Sequence, residues 1–211
     1  MVYPTCRHHC LCIVCPLATI KKHVALANTE LFLSTGCKSC IMNVVTTVIK
    51  ARHSIRQFKP DPVDDNVIRD AIECARHSPT AMNLQPWLFG VVQDKKTLEN
   101  IAALTEYGKF IAEASVCFAV FGEKKATYYL EDCCAATENL IIALQAYGIG
   151  SCWVAGDKKG YAEPVRKLLN VPDEYTLVSL VPAGLPADIS IVKKKDLKSV
   201  LFKESFKRDD S

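Results

Sequence analysis

From residue 43 onward the spacing of apolar positions changes several times along the chain, and each change marks an element. Val67, Ile68, Ala71, Ile72 and Ala75 recur at intervals of three and four, the stripe of a helix buried along one side. Asp64 stands where a cap belongs and Pro79 where the helix must stop, which predicts a helix from Asp64 through His77. Asn43 to Ala51 reads as a shorter helix with Val44, Val45, Val48 and Ile49 on one side. Lys95 to Leu104 reads as an exposed helix turning Leu98 and Ile101 inward, and Glu163 to Leu169 as another short one. The longest helical pattern runs from Tyr128 to Tyr147. Cys133, Ala136, Leu140, Ile141 and Leu144 leave it apolar nearly all round, which predicts a place in a core or a subunit interface. Gly148 is expected to close it.

Between these helices lie short runs with strand character: Leu88 to Val92, Val116 to Phe121, Ser151 to Ala155 and Thr176 to Ala183. Val116 to Phe121 has no polar interruption, as expected of a strand covered on both faces. Lys59-Pro60-Asp61-Pro62 is a rigid connector, because its prolines fix the backbone and remove donors. Strands alternate with helices, loops are unequal and one long helix dominates, so the expected class is a layered α+β fold.

Composition narrows the functional classes. The chain has 211 residues, 49% of them hydrophobic and 23% charged, which suits one soluble globular domain. No apolar run is long enough for a transmembrane helix. The formal charge of +3 resides in the first 41 residues, where Arg7, Lys21, Lys22 and Lys38 face Glu30 alone, so the remainder is balanced. A neutral body without a basic stripe gives no support to nucleic-acid binding.

The cysteines divide the same way: Cys6, Cys10, Cys12, Cys15, Cys37 and Cys40 fall early, while Cys74, Cys117, Cys133, Cys134 and Cys152 lie inside apolar patterns. Those five read as small core hydrophobes in a reducing, cytoplasmic setting. Residues 1–41 admit three readings. A secretory signal is disfavoured by Cys15-Pro16 and Lys21-Lys22-His23 breaking the apolar stretch. A zinc or cluster site is suggested by the thiol density, yet the spacing matches neither a zinc ribbon nor a ferredoxin run. The third reading is an unstructured or mis-assigned leader, with the functional domain at 42–206 and a short tail at 207–211. The abrupt regularity after Met42 favours the third.

Two segments carry the candidate chemistry. Arg52-His53-Ser54-Ile55-Arg56 concentrates cationic and hydroxyl donors suited to a phosphate and a ring of hydrogen-bond acceptors. Ser78-Pro79-Thr80-Ala81-Met82-Asn83-Leu84-Gln85-Pro86-Trp87 places two amides and an indole on a proline-stiffened loop, suited to the polar edge of a flat heterocycle. Either segment alone would read as solvated charge or as core packing. Together they point to flavin mononucleotide (FMN). Gly148-Ile149-Gly150 is no dinucleotide fingerprint, since Trp153 stands where the third glycine would be and a helix precedes it. No catalytic triad is legible, and none is required where a flavin carries the hydride chemistry.

With Gly148-Ile149-Gly150-Ser151-Cys152-Trp153 added, the chain from about Met42 to Phe206 resembles the nitroreductase family of FMN enzymes. The resemblance implies a central mixed sheet flanked by helices, with the long helix at the interface of a homodimer and two FMN sites built from both chains. It implies hydride transfer from NADH or NADPH to a nitroaromatic, quinone or similar acceptor in ping-pong fashion. Relatives that use reduced flavin for dehalogenation or flavin fragmentation are the alternative. These usually carry a lid, for which Thr105 to Ala114 is the only, short, candidate. A metal-binding module centred on residues 1–41 is the non-enzymatic alternative.

By the same resemblance, Arg52 and Arg56 meet the phosphate or the polar flavin edge, and His53 and Ser54 the ribityl–phosphate tail. Asn83 and Gln85 serve the isoalloxazine, Thr80 and Ala81 line the site from the partner chain, and Val154, Ala155 and Gly156 face the ring. Lys194 or Lys195 takes the place of a C-terminal phosphate-binding arginine, keeping the charge without the bidentate fork.

Overall fold

A computed structural model describes residues 43–189 and 191–206 of the chain; the expectations for residues 1–41 and for the tail 207–211 lie outside that range. Among the described residues five α-helices form where the apolar spacing predicts them. Helix α1 is Val44–Ala51, capped by the Asn43 side chain, which accepts from the Thr46 N–H at 3.2 Å. Helix α2 is Asp65–Arg76, capped by Asp64 and burying Ile68, Ala71 and Ala75. Helix α3 is Lys95–Leu104, where Asp94 accepts from the Thr97 hydroxyl at 2.7 Å and the Thr97 N–H at 2.8 Å, and these bonds hold its carboxyl below the usual range. Helix α4 is Tyr129–Ala146 and α5 is Ala162–Leu168. Gly148 follows α4 with φ +73°, the left-handed closing residue its position required.

The strands are β1 (Trp87–Val92), β2 (Val116–Glu123), β3 (Gly150–Ser151), β4 (Val154–Ala155) and β5 (Tyr175–Gly184). The sheet runs β1–β2–β5, with β3 and β4 both on the far side of β5. Every strand pairing is antiparallel, and the parallel component of this mixed sheet is one bridge between Ser54 and Ser151.

The single strand expected at Ser151–Ala155 is two, and the reason lies across the ladder. Ser151 pairs with Ala183 and Val154 with Leu180, so the register is continuous through the break. Opposite Cys152 stands Pro182, whose carbonyl accepts from the Cys152 N–H at 3.2 Å but which has no N–H to return.

Alternation along β2 divides the core into two layers. Val116 and Phe118 pack with α2 and α4, whereas Cys117, Ala119 and Phe121 pack with α3, α5 and Ile111. The strand is therefore buried on both faces, as its uninterrupted apolar run predicted. Phe118 is 1% exposed. Phe118→Ala should lower unfolding free energy by about 3–5 kcal/mol, read from urea denaturation; a loss below about 1 kcal/mol would remove it from the core.

Two apolar surfaces stand exposed among the described residues. Helix α1 buries no residue: Val44 is 75% and Val45 62% exposed. With Ile142, Ala143 and Ala146 of α4, its valines line an open apolar groove. The second is the stretch from Ile191 to Phe206, where Ile191, Val192, Leu197, Val200, Leu201, Phe202 and Phe206 are all exposed.

Candidate functional site

The cationic segment is fastened to the sheet at its β3 edge. The Ile55 N–H donates to the Ser151 carbonyl at 2.9 Å, and the Ile55 side chain is buried over Gly150. A Cβ on Gly150 would stand 2.7 Å from an Ile55 carbon, so the glycine permits the close approach. The pairing continues outward, with Lys59 N–H donating to Leu185 at 2.8 Å and Ala187 N–H to Gln57 at 3.0 Å. This leaves Arg52, His53 and Ser54 half-buried and Arg56 exposed, its guanidinium carbon 5.9 Å from the centre of the Phe110 ring.

Neither arginine forms an ion pair with a carboxylate among the described residues. The carboxylates in ion pairs among the described residues are Glu73, Asp157 and Glu163, and none meets Arg52 or Arg56. Both cations act on the same buried neighbour. Burial pushes the Cys152 thiol up, while the Arg56 charge, a hydrogen bond with Ser54 and the Arg52 charge pull it back. Two cations without a carboxylate partner among the described residues, together with the Ser54 hydroxyl, surround Cys152, an arrangement whose positive potential suits a phosphate.

The amide-bearing loop is built differently. Met82, Asn83 and Gln85 have φ of 51°, 56° and 51°, left-handed values that cost L-residues about 1–2 kcal/mol each. The strain is held by one carboxylate. Asp132, in the first turn of α4, accepts from the Thr80 hydroxyl at 2.8 Å and from the Ala81 N–H at 3.2 Å. The Thr80 oxygen in turn accepts from the Gln85 N–H at 3.0 Å. Asn83 and Gln85 remain exposed, with the Gln85 Nε2 donating to the Asn83 carbonyl at 3.4 Å. Trp87 leaves the loop to pack beside Phe89 in the core, ring centres 6.2 Å apart.

These two segments do not meet within one chain. Ser151, next to Ser54, is level with Ala183 of β5, whereas Gly122, next to the exit of the loop at Trp87, is level with Thr176. At about 3.3 Å per residue the two levels stand roughly 20 Å apart along the strands. They also occupy opposite edges of the sheet.

Val154 and Gly156 are buried and Ala155 is exposed at the β4 edge. The Gly156 N–H is taken by the Val178 carbonyl at 2.8 Å, and its missing Cβ makes room for Leu177. The Ala155 carbonyl accepts from the Tyr161 hydroxyl. Lys194 and Lys195 are exposed and form no hydrogen bond or ion pair among the described residues. Thr105 to Ala114 is not free-standing: Thr105, Ile111 and Ala114 are buried, and Lys109 donates to the carbonyls of Ala102 and Ala103.

Sequence reading missed Asp132. It read the long helix as apolar and named Thr80 and Ala81 without their partner. The available signal was an acid in the first turn of an otherwise apolar helix, where burial is tolerated only with donors and a favourable helix terminus.

The α+β fold thus carries a cationic edge and an amide-bearing loop at separate corners of one sheet. The model described as the nitroreductase family matches residues 49–106 and 102–185. A protein of Archaeoglobus fulgidus named for NADH dehydrogenase/NAD(P)H nitroreductase activity is 32% identical over 147 residues, 67% of this chain and 84% of that one. The iodotyrosine deiodinase of Thermotoga neapolitana is 29% identical over 174 residues, 70% of this chain and 91% of that one. A Desulfovibrio desulfuricans nitroreductase solved in complex with FMN superposes with a TM-score of 0.70 at 27% identity, covering 78% of this chain and 99% of that one. The chain belongs to the nitroreductase family of oxidoreductases.

Proposed function

We propose that the chain is an FMN-dependent oxidoreductase that passes a hydride from NADH or NADPH to small electrophilic acceptors such as nitroaromatics or quinones. Bound FMN supplies the hydride chemistry; the protein supplies binding, orientation and electrostatics. Arg52 and Arg56 hold the phosphate, with Lys194 or Lys195 adding charge, and His53 and Ser54 take the ribityl hydroxyls. Asn83 and Gln85 orient the polar ring edge. Val154, Ala155 and Gly156 form the wall beside it, its shape set by the Tyr161 and Val178 hydrogen bonds. Reductant and acceptor use the same space in turn, which gives ping-pong kinetics.

The observation that carries this reading is the separation of the two segments: an unneutralised cationic edge and an amide-bearing loop roughly 20 Å apart complete one site only when a second copy supplies the other half. The uncovered valines of α1 and the apolar stretch from Ile191 supply surfaces for a homodimer. We place the functional unit at 42–206 and the protein in the cytoplasm. Its described cysteines are free thiols, and no helix among the described residues is long and apolar enough to cross a membrane.

The visible spectrum of the purified protein, followed by anaerobic titration with NADH and NADPH, tests the reading. One flavin per chain, bleached by at least one nucleotide and restored by a quinone or nitroarene, is expected. Colourless protein that takes up no added FMN overturns it. Dehalogenation is the second reading, favoured by the deiodinase relative. Against it stands the Thr105–Ala114 segment, which is packed into its own chain and so does not form a free lid.

A further inference from the structure

We propose that Asp132 is the positioning residue of the candidate site, acting through the Thr80–Gln85 loop to hold Asn83 and Gln85 ready for a flat heterocycle; the inference rests on the reading of that loop as part of an FMN site. Asp132 is 7% exposed, and no cation pairs with it among the described residues. A buried carboxylate persists only where donors and a local field compensate for lost water. Here the compensation is the N-terminal turn of α4 and two donors from one loop, the Thr80 hydroxyl and the Ala81 N–H.

The consequence is directional. The Thr80 oxygen donates its hydrogen to Asp132 and is then free to accept from the Gln85 N–H, so one carboxylate fixes both ends of the turn. Between those ends lie Met82 and Asn83, both left-handed, and Gln85 itself is the third such residue. Without the anchor an L-residue loop relaxes toward ordinary backbone values, and its amides lose their common orientation. The carboxylate acts through the loop that it anchors. It fixes beforehand a loop that would otherwise have to be ordered at the moment of binding.

The test compares wild type with Asp132→Ala, Asp132→Asn and Thr80→Val. It measures the FMN dissociation constant by flavin fluorescence, the reduction potential of bound flavin, and apoprotein melting. Asp132→Ala should weaken FMN binding about tenfold or more and shift the potential. Asp132→Asn keeps an acceptor oxygen and should recover most of both. Thr80→Val should weaken binding in the same direction, and adding it to Asp132→Ala should change little further, because both cut one linkage.

Wild type that binds FMN alongside an Asp132→Ala protein with the same dissociation constant and potential overturns the positioning role alone. Equal loss in the Ala and Asn variants, tracking apoprotein melting, also overturns it and leaves a structural residue. Should Asp132→Ala fail to fold, unchanged binding and potential in Thr80→Val overturn the role by themselves. Wild type that binds no FMN overturns this inference together with the functional reading it rests on.

Discussion

Arg52→Ala should release FMN while leaving the protein folded. Arg52 is half-buried, meets no carboxylate among the described residues and belongs to a segment held to β3 by the Ile55–Ser151 backbone bond, so its side chain is dispensable for the fold. A charge-assisted hydrogen bond to phosphate contributes about 1.5–3 kcal/mol, which translates to a roughly 10- to 150-fold weaker dissociation constant. Arg52→Lys should recover part of this, since it restores charge without the planar fork. Equilibrium dialysis with fluorescence detection gives the constants and circular dichroism checks the fold. Unchanged FMN content in Arg52→Ala would remove the phosphate role from this residue.

Val45→Asp combined with Ile49→Asp should split the proposed homodimer and empty both of its sites together. The two side chains are 62% and 46% exposed on a helix that buries nothing in its own chain, so charges there do not disturb the monomer core. A stable homodimer of this kind buries more than about 2,000 Å², and two carboxylates desolvated in such an interface cost several kcal/mol each. Sedimentation should show a monomer, and the same fraction should be colourless. A folded monomer retaining stoichiometric flavin would contradict the shared site, and an intact dimer would place the interface elsewhere.

The elements written by local pattern were legible in the sequence. Helix α2 follows from Val67, Ile68, Ala71, Ile72 and Ala75 with Asp64 as cap, and β2 from its unbroken apolar run. Both depend on residues within one or two turns of each other. The break between β3 and β4 was not legible, because its cause is Pro182, a residue thirty positions away that faces Cys152 only once the sheet has formed. Asp132 escaped for the same reason, its partners lying 51 and 52 residues earlier in the chain.

The site divides similarly. Residue types suited to a phosphate and to a heterocycle were readable at Arg52–Arg56 and Asn83–Gln85. Their separation to opposite corners of one sheet was not, since spacing along a chain says nothing about which edge a segment will join. The apolar side of α1 was readable, but that it finds no core of its own is a property of the assembled fold.

Co-expression of two binding-defective chains addresses the shared site most directly. One carries Arg52→Ala; the other carries Asn83→Ala with Gln85→Ala. Each homodimer should bind FMN poorly. A mixed dimer carries one site with both halves intact, so about a quarter of all sites should regain wild-type affinity after random pairing of a two-fold dimer. Mixed dimers with no high-affinity flavin would mean that each site is built within a single chain, which contradicts the account.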